Sequence, residues 1–190
     1  VMIAVREATA ADVPAAAGVL SRAFDEYSWT RWSVPADRYR ARLEELQAIY
    51  LAHAVECGLV IVEEKYRGVA AFVPPEAPDL NSERQNRVSE LLGDRLEVLM
   101  ATHLPSRPHA AWDLATIGVE PDSWGSGIAS AILAEGLRRM DTIGSLVSLE
   151  TSDPRNVALY VRFGFSTIAE TQVPNGPKVS TMVRTLSTEA

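Results

Sequence analysis

Two glycines one residue apart, Gly125 and Gly127, lie between a mostly apolar strand-like run, Trp112 to Val119, and a helix-like run, Ile128 to Met140. Leu133, Leu137 and Met140 share one face of the second run. Bare backbone at a helix start leaves N–H groups without partners and adds the positive end of the helix dipole, so the turn favours an anion. Small residues let a pyrophosphate approach the main chain. Leu146 to Glu150 then reads as another strand. A strand–helix–strand crossover sets 112–119 and 146–150 parallel to each other.

The rest of the chain reads as one mixed α/β (α+β) domain over residues 1–190. Ile3 to Glu7 predicts a short strand, followed by a helix to about Phe24 with Asp12 as its cap and Pro14 in its first turn. Asp25 to Trp32 reads as a loop carrying Tyr27, Trp29 and Trp32. Tyr39, Leu43, Leu46 and Tyr50 form a helical stripe running towards Cys57, with Gly58 as its stop. Residues 59–62 and 69–73 predict an antiparallel hairpin. Asn81 to Leu99 has a helical pattern, and 104–108 is a proline-bounded loop. A helix over 156–163 and strands over 165–173 and 179–183 complete the chain.

Charge and composition exclude several functions. The formal net charge is −7, which disfavours nucleic acid as a partner. No run of 18 apolar residues suggests a membrane span, and the single Cys57 forbids an internal disulfide, so a cytoplasmic protein is expected. His53, His103 and His109 lack metal-ligand spacing, and no metal is expected.

Three phosphate-binding patterns compete for the glycine turn. A Walker loop requires a lysine, and none stands here. A dinucleotide fingerprint requires a third glycine where Ser130 stands, and it normally follows the first strand of a domain. The remaining pattern is a coenzyme A site. Val119-Glu120-Pro121 followed by Gly125-Ser126-Gly127-Ile128-Ala129 resembles the GNAT superfamily of N-acetyltransferases. Leu149-Glu150-Thr151-Ser152, Pro154-Arg155-Asn156, Tyr160 and Phe163-Gly164-Phe165 are similar to the puromycin N-acetyltransferases within it. The likeness runs over nearly the whole chain.

This resemblance implies a single-domain acyl-CoA N-acyltransferase fold: a mostly antiparallel mixed sheet flanked by helices, with a central parallel strand pair and a cofactor-binding core at about 111–165. It implies acetyl-CoA as acetyl donor. Main-chain groups of Ile117, Gly118 and Val119 would bond the pantetheine arm, and the amides from Gly125 through Ser126, Gly127, Ile128 and Ala129 to Ser130 would hold the pyrophosphate. Asn156 would reach the cofactor arm, cap the following helix, or do both. Trp124 stands where the family has Gln or Arg, and Ser126 where a basic residue is common, so a weaker grip on the cofactor is expected.

Transfer to an amine needs a base, an oxyanion donor and an acid for the departing thiolate. Tyr160 is the acid by its place in the motif, and a main-chain N–H near Val119 is the oxyanion donor. Glu150, favoured by the resemblance, and Asp113 compete as base; Asp113 could instead hold the substrate ammonium or face solvent. Tyr27, Trp29, Trp32, Phe72 and Trp112 would wall an acceptor pocket. The expected partner is a small-molecule amine such as puromycin, with a homodimer allowed. A protein or peptide N-acetyltransferase with an open groove rimmed by 174–177, or a non-catalytic acyl-CoA-binding module, are the alternatives.

Overall fold

The computed structural model describes residues 2–186. One sheet holds β1 (Val5–Glu7), β2 (Leu59–Glu63), β3 (Gly68–Val73), β4 (Trp112–Val119), β5 (Val147–Thr151), β6 (Phe165–Gln172) and β7 (Lys178–Arg184). Their order is β1-β2-β3-β4-β5-β7-β6. Every neighbouring pair is antiparallel except β4 and β5, which run parallel as the crossover requires.

The helices are α1 (Val13–Ala23), α2 (Ser28–Ser33), α3 (Tyr39–Cys57), α4 (Ser82–Leu92), α5 (Arg95–Met100), α6 (Ile128–Ile143) and α7 (Pro154–Arg162). Strand alternation divides the core between the two sheet faces. Ile61, Phe72, Leu114 and Leu149 pack with Ile132, Leu133 and Leu137 of α6, and Tyr160 of α7 joins that cluster. Val60, Val62, Val69 and Ala71 face the other way, onto Leu20 of α1 and Leu51 and Ala54 of α3. Close contact between α6 and β3 depends on Gly136, where a Cβ would lie 2.3 Å from the Phe72 ring. Among the described residues no helix is long and apolar enough to cross a membrane.

Several elements depart from the sequence expectation. Residues 28–33 form α2 rather than loop, because Thr30 is drawn inwards: its hydroxyl donates to the Phe24 carbonyl at 2.8 Å and accepts from the Tyr39 hydroxyl at 2.9 Å. The 81–99 helix is divided at Gly93, whose φ of 52° ends α4. The buried stripe of α3 passes from Leu46 to Leu51 and Ala54, leaving Tyr50 51% exposed. Asp12 does not cap α1 with its side chain. It is buried, accepts from the Thr9 N–H at 2.7 Å and pairs with Arg6 at 2.9 Å.

The site is opened by an irregularity in β4. Opposite Ala71 and Phe72 of β3 stand Thr116 and Leu114, which leaves Ala115 as an extra, bulged residue. A bulge bends its strand and sharpens the local twist. β4 pairs with β5 only at Trp112–Val147 and Asp113–Ser148. Beyond Asp113 the strands separate, so the β5-facing main-chain groups of β4 lack a strand partner as far as Val119.

Candidate active site

Three adjoining cavities follow this separation. The first, about 880 Å³, lies between β4, the start of α6 and α7. It gathers Ile117, Gly118, Val119, Trp124, Gly125, Gly127, Ile128, Ala129, Ser130 and Asn156 of the expected cofactor residues. Gly125 and Gly127 have φ of 78° and 87°, values an L side chain resists. With the turn held so, the N–H groups of Gly125, Gly127, Ile128, Ala129 and Ser130 find no acceptor among the described residues. Ser126 is not in the wall; its hydroxyl turns back to donate to the Ser123 carbonyl.

Trp124, 58% exposed, lines the groove, and its Nε1–H donates to the Val119 carbonyl at 2.8 Å. It therefore occupies a main-chain acceptor expected to serve the pantetheine arm. Three arginines, Arg22, Arg155 and Arg162, border the groove. Arg22 is tied to Glu120 and Arg155 to Asp153. Arg155 stands in the Pro154-Arg155-Asn156 motif without an assigned role, and Arg22 and Arg162 carry no local signal; the fold brings them to the groove. Asn156 is not the cap of α7. The helix begins two residues earlier, and Asp153 caps it by accepting from the Arg155 N–H at 2.9 Å.

The second cavity is larger, about 1060 Å³, and mostly apolar. It lies on the α1/α3 side of the sheet, walled in part by Trp29, Tyr50, Leu80 and Leu99, with Asp113 and Arg107 also in its lining. Tyr27 and Trp29 are in its lining. Trp32 lies outside it, against Arg95 and the 173–177 turn, where a Cβ on Gly176 would be 2.8 Å from the indole. Phe72 and Trp112 are not in the cavity wall either. Phe72 is fully buried beneath α6, and Trp112 packs against the same cluster. Alternation sends them to the face opposite Ala71 and Asp113, both of which border the cavity.

A small chamber of about 200 Å³ joins the two, and Asp113, Glu150, Tyr160, Arg107 and Tyr27 all line it. It is bordered by Leu114 to Ile117 around the bulge but not by Val119. Asp113 is neither surface decoration nor free: its side chain is 15% exposed and its carboxylate lies 2.9 Å from the Arg107 guanidinium. Burial, reinforced by the charge of Glu150 and opposed by Arg107, pushes its pKa up to about 6. Glu150 is open at the chamber mouth, yet desolvation still raises it, with Arg107 opposing. Burial raises the Tyr160 phenol, helped by Tyr27 and Asp153, so it stays protonated. No hydrogen bond engages that hydroxyl among the described residues.

The glycine turn, the parted parallel strands and the buried tyrosine agree with a family model. Residues 22–165, about three quarters of the chain, match the model described as Acetyltransferase (GNAT) family. The chain belongs to the GNAT family. Solved structures agree on the fold. A Corynebacterium glutamicum protein described as histone acetyltransferase HPA2 and related acetyltransferase is 23% identical with a TM-score of 0.79, covering 100% of this chain and 99% of that one. The PaiA N-acetyltransferase of Thermoplasma acidophilum, solved with coenzyme A, is 11% identical with a TM-score of 0.63, over 97% and 99%. The polyamine N-acetyltransferase of Drosophila melanogaster is 15% identical with a TM-score of 0.60, over 97% and 100%. At these identities the likeness concerns the fold. Membership of the GNAT family implies acetyl-CoA-dependent acetyl transfer to an amine.

Proposed function

We propose that this GNAT protein acetylates the primary amine of a small molecule bearing a bulky apolar or aromatic group, an aminoacyl compound such as puromycin. One observation carries the reading: a large apolar cavity adjoins a chamber holding two carboxylates and a phenol, and that chamber adjoins the glycine-turn groove. The groove fits acetyl-CoA, since five unpartnered N–H groups at the start of α6 suit a pyrophosphate and the unpaired edge of β4 suits a pantetheine arm. Residues 111–165 would form the cofactor-binding core, with Arg162 adding charge at its border.

When bound there, acetyl-CoA supplies the acetyl thioester. Glu150 or Asp113 would take a proton from the bound ammonium, directly or through water, so that the neutral amine attacks the acetyl carbon. Main-chain N–H groups at the β4 bulge, between Ala115 and Ile117, would support the oxyanion. Tyr160 holds a proton at its hydroxyl for the departing sulfur. Trp29 and Tyr27 would contact the apolar part of the acceptor.

Against a peptide groove stands the place of the 174–177 turn: it packs on Trp32 through Gly176, away from the apolar cavity, and gives that cavity no rim. The test is product formation from acetyl-CoA with puromycin, a panel of aminoacyl amides and an unstructured basic peptide. Acetylation of the aromatic amines in preference to the peptide is expected. Coenzyme A binding without acetylation of any primary amine would leave a non-catalytic binding module.

A further inference from the structure

We infer that Arg107 is a resident counter-cation: it sits on Asp113 at the acceptor-ammonium subsite and is displaced when the substrate amine enters. The inference rests on the small-molecule reading above and names the group that sets its selectivity for cations. Arg107 Nη2 lies 2.9 Å from Asp113 Oδ2. Among the described residues this is the one arginine–carboxylate pair with no aligned hydrogen bond; Arg6–Asp12, Arg67–Glu63 and Arg184–Asp141, for example, all have them. The Arg107 side chain is 51% exposed and that of Asp113 15%, so the anion is held within the protein while the cation's side chain remains in contact with water. A pair with one partner in water is weak.

Position supports exchange. Asp113 is held by β4, whereas Arg107 lies on the irregular segment between α5 and β4, so its side chain can leave without disturbing helix or strand. Arg107 borders both the acceptor cavity and the chamber but not the cofactor groove. Among the described residues Arg107 is the single cationic side chain lining the chamber, against two carboxylates, so the field there is net negative and draws in an ammonium, which then competes with Arg107 for Asp113. A substrate ammonium donates three hydrogen bonds where Arg107 donates no aligned one. Asp113 shares these walls with His109 of the same segment, Glu150 of β5, Tyr160 of α7 and Tyr27 ahead of α2. Tyr50 and His53 of α3, with Glu76 and Asp79, border the larger cavity.

The test compares the wild type with Arg107→Gln, Arg107→Met and Arg107→Lys, using 2-phenylethylamine as probe at pH 8, where Asp113 stays ionised. Calorimetric Kd and, where turnover occurs, KM should fall about threefold or more in the Gln and Met variants and return towards wild type in the Lys variant. The acid limb of kcat/KM should move to higher pH in the neutral variants, because the charge that lowers Asp113 is gone. Coenzyme A affinity reports folding, since Arg107 lies outside that groove. An unchanged or weaker affinity for the amine in both neutral variants overturns the exchange. Absence of turnover in the wild type counts against the proposed function instead, and the binding comparison still decides the role of Arg107.

Discussion

The Tyr27 hydroxyl accepts a hydrogen bond from the Ser152 N–H at 2.9 Å and lies 3.3 Å from Thr151 Oγ1. This joins the segment ahead of α2 to the end of β5, and the Trp29 N–H adds a bond to Ser152 Oγ at 3.2 Å. Tyr27 also stacks edge-on against Phe24, 4.9 Å between ring centroids, and both residues line all three cavities. Tyr27→Phe keeps the ring and strips the acceptor from a part-buried N–H. A loss of about 1–2 kcal/mol in stability is expected, with a fall of about tenfold in kcat/KM as the chamber wall loosens. Thermal unfolding and steady-state kinetics measure the two. Wild-type kcat/KM in this variant would remove Tyr27 from the reaction chamber.

Phe72 and Trp29 test the division between core and pocket. Phe72 is fully buried against Gly136 of α6, so Phe72→Ala should cost about 3–5 kcal/mol and leave the ranking of acceptor amines unchanged. Trp29 is only partly buried and borders the acceptor cavity, so Trp29→Ala should destabilise far less but reorder the amines by KM. Denaturant titration alongside a panel of aromatic and aliphatic amines separates the outcomes. A changed amine ranking in the Phe72 variant would mean that the cavity reaches through the sheet.

These two aromatics also mark how far the sequence could be read. The positions of the strands along the chain, the parallel pair and α6 follow from local periodicity and from the geometry of a crossover, which neighbouring residues encode; the order of strands in the sheet does not. The glycine turn was legible because positive φ and unpartnered N–H groups are local properties. Alternation places Ala71 and Phe72 on opposite faces, but β2 and β3 are apolar on both, so nothing local says which face holds the cavity. α2 has six residues, too few for a helical period to emerge. Arg107 lies in a proline-bounded segment with no periodicity, and its meeting with Asp113 exists only once the 101–111 segment is folded over β4.

Gly125 separates cofactor binding from folding. A Cβ built there meets nothing within 4 Å, and the residue lines the groove with φ of 78°. Gly125→Ala should therefore cost only the backbone penalty of a left-handed conformation, about 1–2 kcal/mol. The added methyl would project into space beside the free N–H groups and lower coenzyme A affinity by about tenfold or more. Calorimetry with coenzyme A and thermal unfolding distinguish the effects. Unaltered affinity would place the pyrophosphate elsewhere.

Asp113 ties stability and activity to pH in opposite directions. Burial first, then the charge of Glu150, raises its folded pKa to about 6 against Arg107, while an unfolded aspartate titrates near about 3.9. Between those values the folded protein binds more protons than the unfolded chain, so stability falls as pH rises through this window. The accumulated cost at pH 7 is on the order of 3 kcal/mol. Asp113→Asn removes the ionisation and should unfold at a higher temperature than wild type at pH 7 to 8, with the advantage fading towards pH 4. Catalysis should run the other way: if ionised Asp113 receives the ammonium, kcat/KM of the wild type falls below about pH 6, and the Asn variant lacks that limb and most of the activity. Glu150→Gln distinguishes the two carboxylates, because its own raised pKa would set a limb that survives in Asp113→Asn and vanishes in Glu150→Gln if Glu150 alone takes the proton.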